Sequence, residues 1–193
     1  MFILRGLIRL YRKAWIFCAT ICLIIFGLYQ LFTGGSHREI KDKNILFTQD
    51  KDKALVTKVI DGDTFVCQIN GHGEEITIRM LGIDCPESVH KDKSKNTTWG
   101  KKASDYTKDD LEEATVWLEY DKEKTDQYGR TLAYVYSLGR EMINKKLVKK
   151  GLARAVYYEP NGKYKNQFEK LMEKAKKKKK GFWKDGYKKA FPS

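Results

Sequence analysis

Between residues 54 and 83, three short apolar-rich runs are joined by turns too brief to pass anything but neighbouring strands. "ALVTKVI" (54–60) and "FVCQI" (65–69) flank "DGDT", and "NGHG" (70–73) separates the second run from "EEITIRMLGI" (74–83). Asn70-Gly71 readily takes the positive φ that tight hairpin turns need. Ile76, Ile78 and Met80 recur at every second position, the period of a half-buried strand. The three runs therefore predict a meander, and a β-meander must close on something to bury its apolar face.

"TVWLEYD" (115–121) and "TLAYVYS" (131–137) read as two further strands around the loop "KEKTDQYGR". Helices are predicted over 100–114, over 142–151 with Gly151 as the stop, and over 164–183 with Phe168, Leu171 and Met172 on one side. Residues 88–98 are too lysine-rich and poor in apolar residues to be anything but a loop. Five strands with a helix before the fourth predict an α+β fold, a small five-stranded oligonucleotide-binding (OB-fold) β-barrel with three helices. The lysines at 176–180 read as the solvated end of the last helix, where cations also suit the helix dipole.

The N-terminus is of another kind. Arg5, Arg9, Arg12 and Lys13 precede a run of nineteen uncharged residues, Ala14 to Phe32, close to the ~20 that cross a bilayer as helix. Positive flanks favour leaving the N-terminus in the cytoplasm and the rest of the chain outside. The run is expected to be an uncleaved transmembrane anchor; a signal peptide cleaved near Gly35 is the alternative. The chain thus divides into a signal-anchor segment (1–33), a polar linker (34–53) and one folded domain (54–193).

The net charge is +13, and residues 54–193 keep +8 of it, with 29 Lys/Arg against 21 Asp/Glu. Such a surface suits polyanions, whether nucleic acid or anionic lipid, or serves solubility alone. The three histidines, His37, His72 and His90, have no metal-ligand spacing and no nucleophile motif around them. Cys18, Cys22, Cys67 and Cys85 form no CxxC; pairing of Cys67 with Cys85 stays open. Hydrolytic chemistry in this chain must therefore run on carboxylates, arginines and a metal held by oxygen.

"DGDT" by itself is a common hairpin turn. One hairpin later, however, come strand-borne Arg79, out of phase with Ile78 and Met80, and "DCPE" with Asp84 and Glu87. Asp61, Asp63 and Asp84 converge if the third strand returns beside the first. Their repulsion is then offset either by a hard, oxygen-preferring cation or by salt bridges to Arg79 and Arg130.

Five stretches in order, "IDGDT" (60–64), "IRMLGIDCPE" (78–87), "DQYGRTLAYVY" (126–136), "MINKKLVKKGLA" (142–153) and "FW" (182–183), carry a specific resemblance. The chain resembles the thermonuclease family, the staphylococcal nuclease-like domain, over nearly all of residues 54 to about 184. The resemblance implies the same barrel and a calcium-dependent phosphodiesterase acting on DNA and RNA, leaving 3′-phosphate ends. It implies Asp63 and Asp84 as Ca2+ carboxylates, the main-chain carbonyl of Cys85 as a third ligand, and Asp61 acting on the ion through water. Glu87 would orient or deprotonate the attacking water, and Arg79 and Arg130 would clamp the scissile phosphate. Tyr128, and one of Tyr157 and Tyr158, would contact the nucleotide.

Compared with the family pattern, a cysteine stands at 85 in place of a threonine, and Gln127 stands in place of a lysine. "ARAVYYEP" is one residue shorter and the loop 88–98 one longer. With every functional acid and arginine present, an enzyme is favoured over a non-catalytic nucleic-acid-binding module on the same barrel, and over a lipid-binding protein. The expected arrangement is a monomer in the cell membrane, single-pass, with the nuclease domain outside the cytoplasm, or secreted if the signal is cleaved.

Overall fold

The computed structural model describes Ile25 and residues 47–192. The expected membrane run, 14–32, lies outside the described residues save Ile25. Among the described residues no helix is long and apolar enough to cross a membrane. Residues from Asp50 onward form a compact unit.

Five strands close into a barrel in the order β1-β2-β3-β6-β5: β1 Lys51–Asp61, β2 Thr64–Ile69, β3 Glu75–Met80, β5 Thr115–Glu119 and β6 Thr131–Ser137. β1 pairs antiparallel with both β2 and β5, which closes the cylinder, and β3 lies parallel to β6. Alternation along the strands sends Val56, Phe65, Ile78, Val116, Leu118 and Val135 into the interior, all fully buried. β1 starts at Lys51, three residues before the predicted Ala54, because Lys51–Lys53 pair through the main chain with Glu119–Trp117. Ladder hydrogen bonds need no apolar side chains, so hydropathy could not reveal this extension.

The run predicted as one strand over 74–83 is two. β3 stops at Met80, the chain turns at Leu81-Gly82, and a two-residue strand β4, Ile83–Asp84, pairs with β7, Arg154–Ala155. Gly82 sits at φ +74°, and a Cβ there would stand 2.6 Å from the Phe168 ring. Only glycine permits both the left-handed turn and that approach. The turn takes Asp84 off the barrel wall and sets it opposite Arg154, 70 residues on.

The three predicted helices are present. α1, Thr98–Leu111, begins two residues early because Thr97 Oγ1 accepts from the Gly100 amide at 2.9 Å. α2, Ile143–Lys150, ends at Gly151 in the left-handed region. α3, Lys165–Lys177, ends in the lysine run, whose last four members are exposed. Residues 182–183, predicted as helix continuing from α3, instead open a separate turn of helix, α4 (Phe182–Asp185), followed by α5 (Tyr187–Ala190).

Cys67 and Cys85 are separate, buried, free thiols. At the end of β5, Glu119 is 4% exposed and takes hydrogen bonds from Tyr136 Oη at 2.5 Å and Tyr164 Oη at 3.1 Å, with Lys163 as ion-pair partner. Burial pushes its carboxyl up, but Lys163 and Tyr136 outweigh that and hold it below the usual Glu range. The network ties β5 and β6 to the segment leading into α3.

Candidate active site

The β1–β2 turn carries Asp61 and Asp63, both buried. Asp63 is only 2% exposed, and its Oδ2 accepts the Cys85 amide at 2.7 Å while Oδ1 accepts from Thr64 Oγ1 at 3.0 Å and from Arg79 Nη1. Arg79 reaches it because β2–β3 pairing sets Arg79 opposite Thr64. The second guanidinium nitrogen, Nη2, donates to Asp84 Oδ1 at 2.8 Å. One planar cation thus gathers two carboxylates, one from the β1–β2 turn and one from β4. This is the salt bridging that the sequence left open, made by Arg79.

Arg130 goes elsewhere. Its Nε and Nη2 each lie 2.8 Å from Asp126 Oδ2, and its guanidinium sits 5.4 Å over the Tyr128 ring. Burial pushes the Asp126 carboxyl up, but bonds from Arg130 outweigh this and bring it below the usual Asp range. Asp61 also turns away from the Arg79 pair: its Oδ1 accepts from Gly62 N and Ser88 Oγ, both at 2.7 Å.

Glu87 follows Asp84 and Pro86 on the same stretch. Burial, then the charge of Asp61, raises its carboxyl pKa, partly offset by His90 and Arg79. Its main-chain carbonyl accepts from Thr97 N at 2.9 Å, which fixes it to the start of α1.

A cleft of about 580 Å³ opens beside Arg79 and is lined also by Gln127, Tyr128, Arg130 and Tyr158. Tyr128 and Tyr158 are 74% and 71% exposed. Both rings stand largely in water beside the two arginines, platforms on which a base can stack. Tyr157 instead packs on Gly162, under the Lys165 ammonium at 4.2 Å, and does not line the cleft. Of the two tyrosines that sequence could not separate, Tyr158 is the one beside the arginines.

Among the described residues no three His, Cys, Asp or Glu side chains group closely enough to hold a metal by themselves. The donor chemistry nonetheless fits a hard cation: two carboxylates, Asp63 and Asp84, share one guanidinium. Sulfur is withdrawn from the set, because burial pushes the Cys85 thiol well above its ordinary range and keeps it protonated. Two carboxylates completed by carbonyl and water suit calcium's loose oxygen coordination.

Residues 77–185 match the family model described as Staphylococcal nuclease homologue. The chain belongs to that family. It is 49% identical over 128 residues to the thermonuclease of Staphylococcus hyicus, covering 66% of this chain and 73% of the relative. To the thermonuclease of Staphylococcus intermedius it is 48% identical over 129 residues, 67% and 74% of the two chains. To endonuclease YncB of Bacillus subtilis it is 38% identical over 157 residues, 80% and 69% of the two. Like these thermonucleases and endonucleases, the chain is a nuclease, a hydrolase built on a closed five-stranded barrel with helices.

Sequence reasoning missed two contacts within this candidate site. Ser88 holds Asp61, and Arg154 binds Asp84 Oδ2 through Nε at 2.9 Å and Nη2 at 2.7 Å. Neither is visible locally; Arg154 meets Asp84 only because β4 pairs with β7.

Proposed function

We propose that this nuclease is calcium-dependent and sugar-non-specific, hydrolysing phosphodiester bonds of DNA and RNA outside the cytoplasm. The observation that carries the reading is Arg79, which joins Asp63 and Asp84 at the edge of a cleft holding Arg130 and two exposed tyrosines. Asp63, Asp84 and the main-chain carbonyl of Cys85 would hold Ca2+, with Asp61 reaching it through water. Bound calcium supplies Lewis-acid polarisation of a phosphoryl oxygen.

The chain's own groups do the rest. Glu87, with its basicity raised by burial and by Asp61, accepts a proton from the attacking water. Arg79, which a cation held by Asp63 and Asp84 would release, and Arg130 would present planar forks to the phosphate and neutralise its growing charge. Tyr128 and Tyr158 stack on bases, a contact indifferent to sequence because every base has a π-face. All these residues come from one chain, so a monomer suffices.

The nineteen-residue apolar run behind four basic residues supports a single-pass anchor with the nuclease domain outside the cytoplasm. The test is digestion of plasmid, single-stranded DNA and RNA by the full chain in detergent. All three should be cut with calcium and none with excess chelator, and Asp63→Ala should lose calcium binding and cleavage together while the fold persists by circular dichroism. Full activity in chelator refutes the metal assignment.

A further inference from the structure

We propose that Arg154, pressed onto Asp84 by the aromatic segment after α4, is a positioning residue for the calcium site. The inference rests on the calcium reading above. Asp84 is shared by two guanidinium groups: Oδ1 on Arg79 at 2.8 Å, Oδ2 on Arg154 at 2.9 and 2.7 Å. For Asp84 to serve a cation, one of these contacts must be given up. Arg79 makes one bond to it and is the group the phosphate calls on. Arg154 makes two, and the β4–β7 ladder pairs its main chain with that of Asp84. Oδ1 is therefore the oxygen that changes partner, while Oδ2 stays fixed and sets the carboxylate plane.

What holds Arg154 lies beyond residue 185, where the family match ends. Its guanidinium lies 4.1 Å from the Phe191 ring centre and 5.7 Å from that of Tyr187, and Nη1 donates to Tyr187 Oη. Tyr187 is stacked between Trp183 at 5.5 Å and Phe191 at 4.9 Å, and buried Phe182 meets Phe191 edge-on at 5.5 Å. The segment is packed against the domain, with Ala190 buried. A second hollow, of about 330 Å³, is lined by Asp84, Cys85 and Glu87 together with Arg154, Tyr187 and Phe191. The aromatic segment is thus a wall of the acid site as well as the backing of Arg154.

A cation beside a dication site also repels the ion, so deleting Arg154 would mix lost orientation with relieved repulsion. Charge-preserving variants separate the two. Arg154→Lys keeps the charge and loses the fork; Phe191→Leu keeps apolar packing and loses the ring face. Calcium chloride is titrated calorimetrically into the full chain in detergent, with no substrate. Arg154→Lys should raise the calcium Kd about 10-fold, as expected for loss of a group that orients a ligating carboxylate. Phe191→Leu should raise it about threefold, by the lost cation–π contact. Melting temperatures in chelator should stay within about 3 °C of wild type. Both variants binding calcium within about twofold of wild type would overturn the inference and leave the calcium reading intact. A wild type that binds no calcium would overturn both.

Discussion

Replacing Gly100 by alanine should damage cleavage far more than it damages the fold. The first turn of α1 lies so close to the stretch carrying Glu87 that a Cβ on residue 100 would stand 1.9 Å from the Glu87 carbonyl oxygen and 2.8 Å from that of Pro86. Ordinary contact begins at 3.4 Å, so helix and main chain must part by about 1.5 Å. Overpacking of that kind costs about 1–3 kcal/mol, and the better helix propensity of alanine returns about 1 kcal/mol. The net loss, about 0–2 kcal/mol, leaves nearly every molecule folded in a domain of ordinary stability, ~5–15 kcal/mol. Glu87, however, is displaced together with its carbonyl, and a misplacement of ~1 Å at a reacting group lowers rates about 10²-fold. Urea unfolding and steady-state cleavage of a single-stranded oligonucleotide at saturating calcium measure the two effects separately. Gly139→Ala is the control, since its nearest neighbour is Ser137 Oγ at 3.7 Å and both quantities should hold. A Gly100→Ala protein with wild-type kcat would show that Glu87 does not take its position from α1, or takes no part in the reaction.

Arg79→Lys and Arg130→Lys should each lower kcat about 10²-fold, the cost of a lost transition-state donor; if both stay within about threefold, the phosphate clamp is wrongly assigned. Glu119→Gln should cost about 2 kcal/mol at neutral pH, the worth of hydrogen bonds to a charged group. Because the folded Glu119 carboxyl sits below its ordinary 4.5, its contribution is full above that pH and is lost as pH falls through the folded value. Acid titration of urea stability should therefore be shallower in the variant below about pH 4.5, and equal slopes would contradict the network. Intact cells carrying the protein should degrade added DNA and lose the domain to external protease; a domain protected until the membrane is breached reverses the proposed topology.

The barrel was legible because its cues are local. Asn70-Gly71 makes a hairpin whatever surrounds it, and the alternation of Ile76, Ile78 and Met80 declares a buried face from side-chain chemistry alone. The resemblance motifs likewise placed Asp63, Arg79 and Asp84 together, and the structure joins them through one guanidinium. The long third strand was misread because an apolar run does not show whether its backbone keeps one ladder. Its break at Gly82 depends on the Phe168 ring of α3, 86 residues away. Which tyrosine faces the cleft depended on how the shortened stretch before Pro160 folds, and Tyr158, not Tyr157, lines it.

Sequence alone determined the five barrel strands in outline, the three main helices and the supply of carboxylates and arginines, since backbone preference and side-chain chemistry belong to each residue and its near neighbours. Tertiary structure decided which charges share a partner: Arg79 between Asp63 and Asp84, Arg130 on Asp126, Arg154 on Asp84 under Phe191. A guanidinium meets whichever carboxylate barrel closure and strand pairing bring within about 3 Å, and that choice is written in the distances between chain segments far apart in sequence.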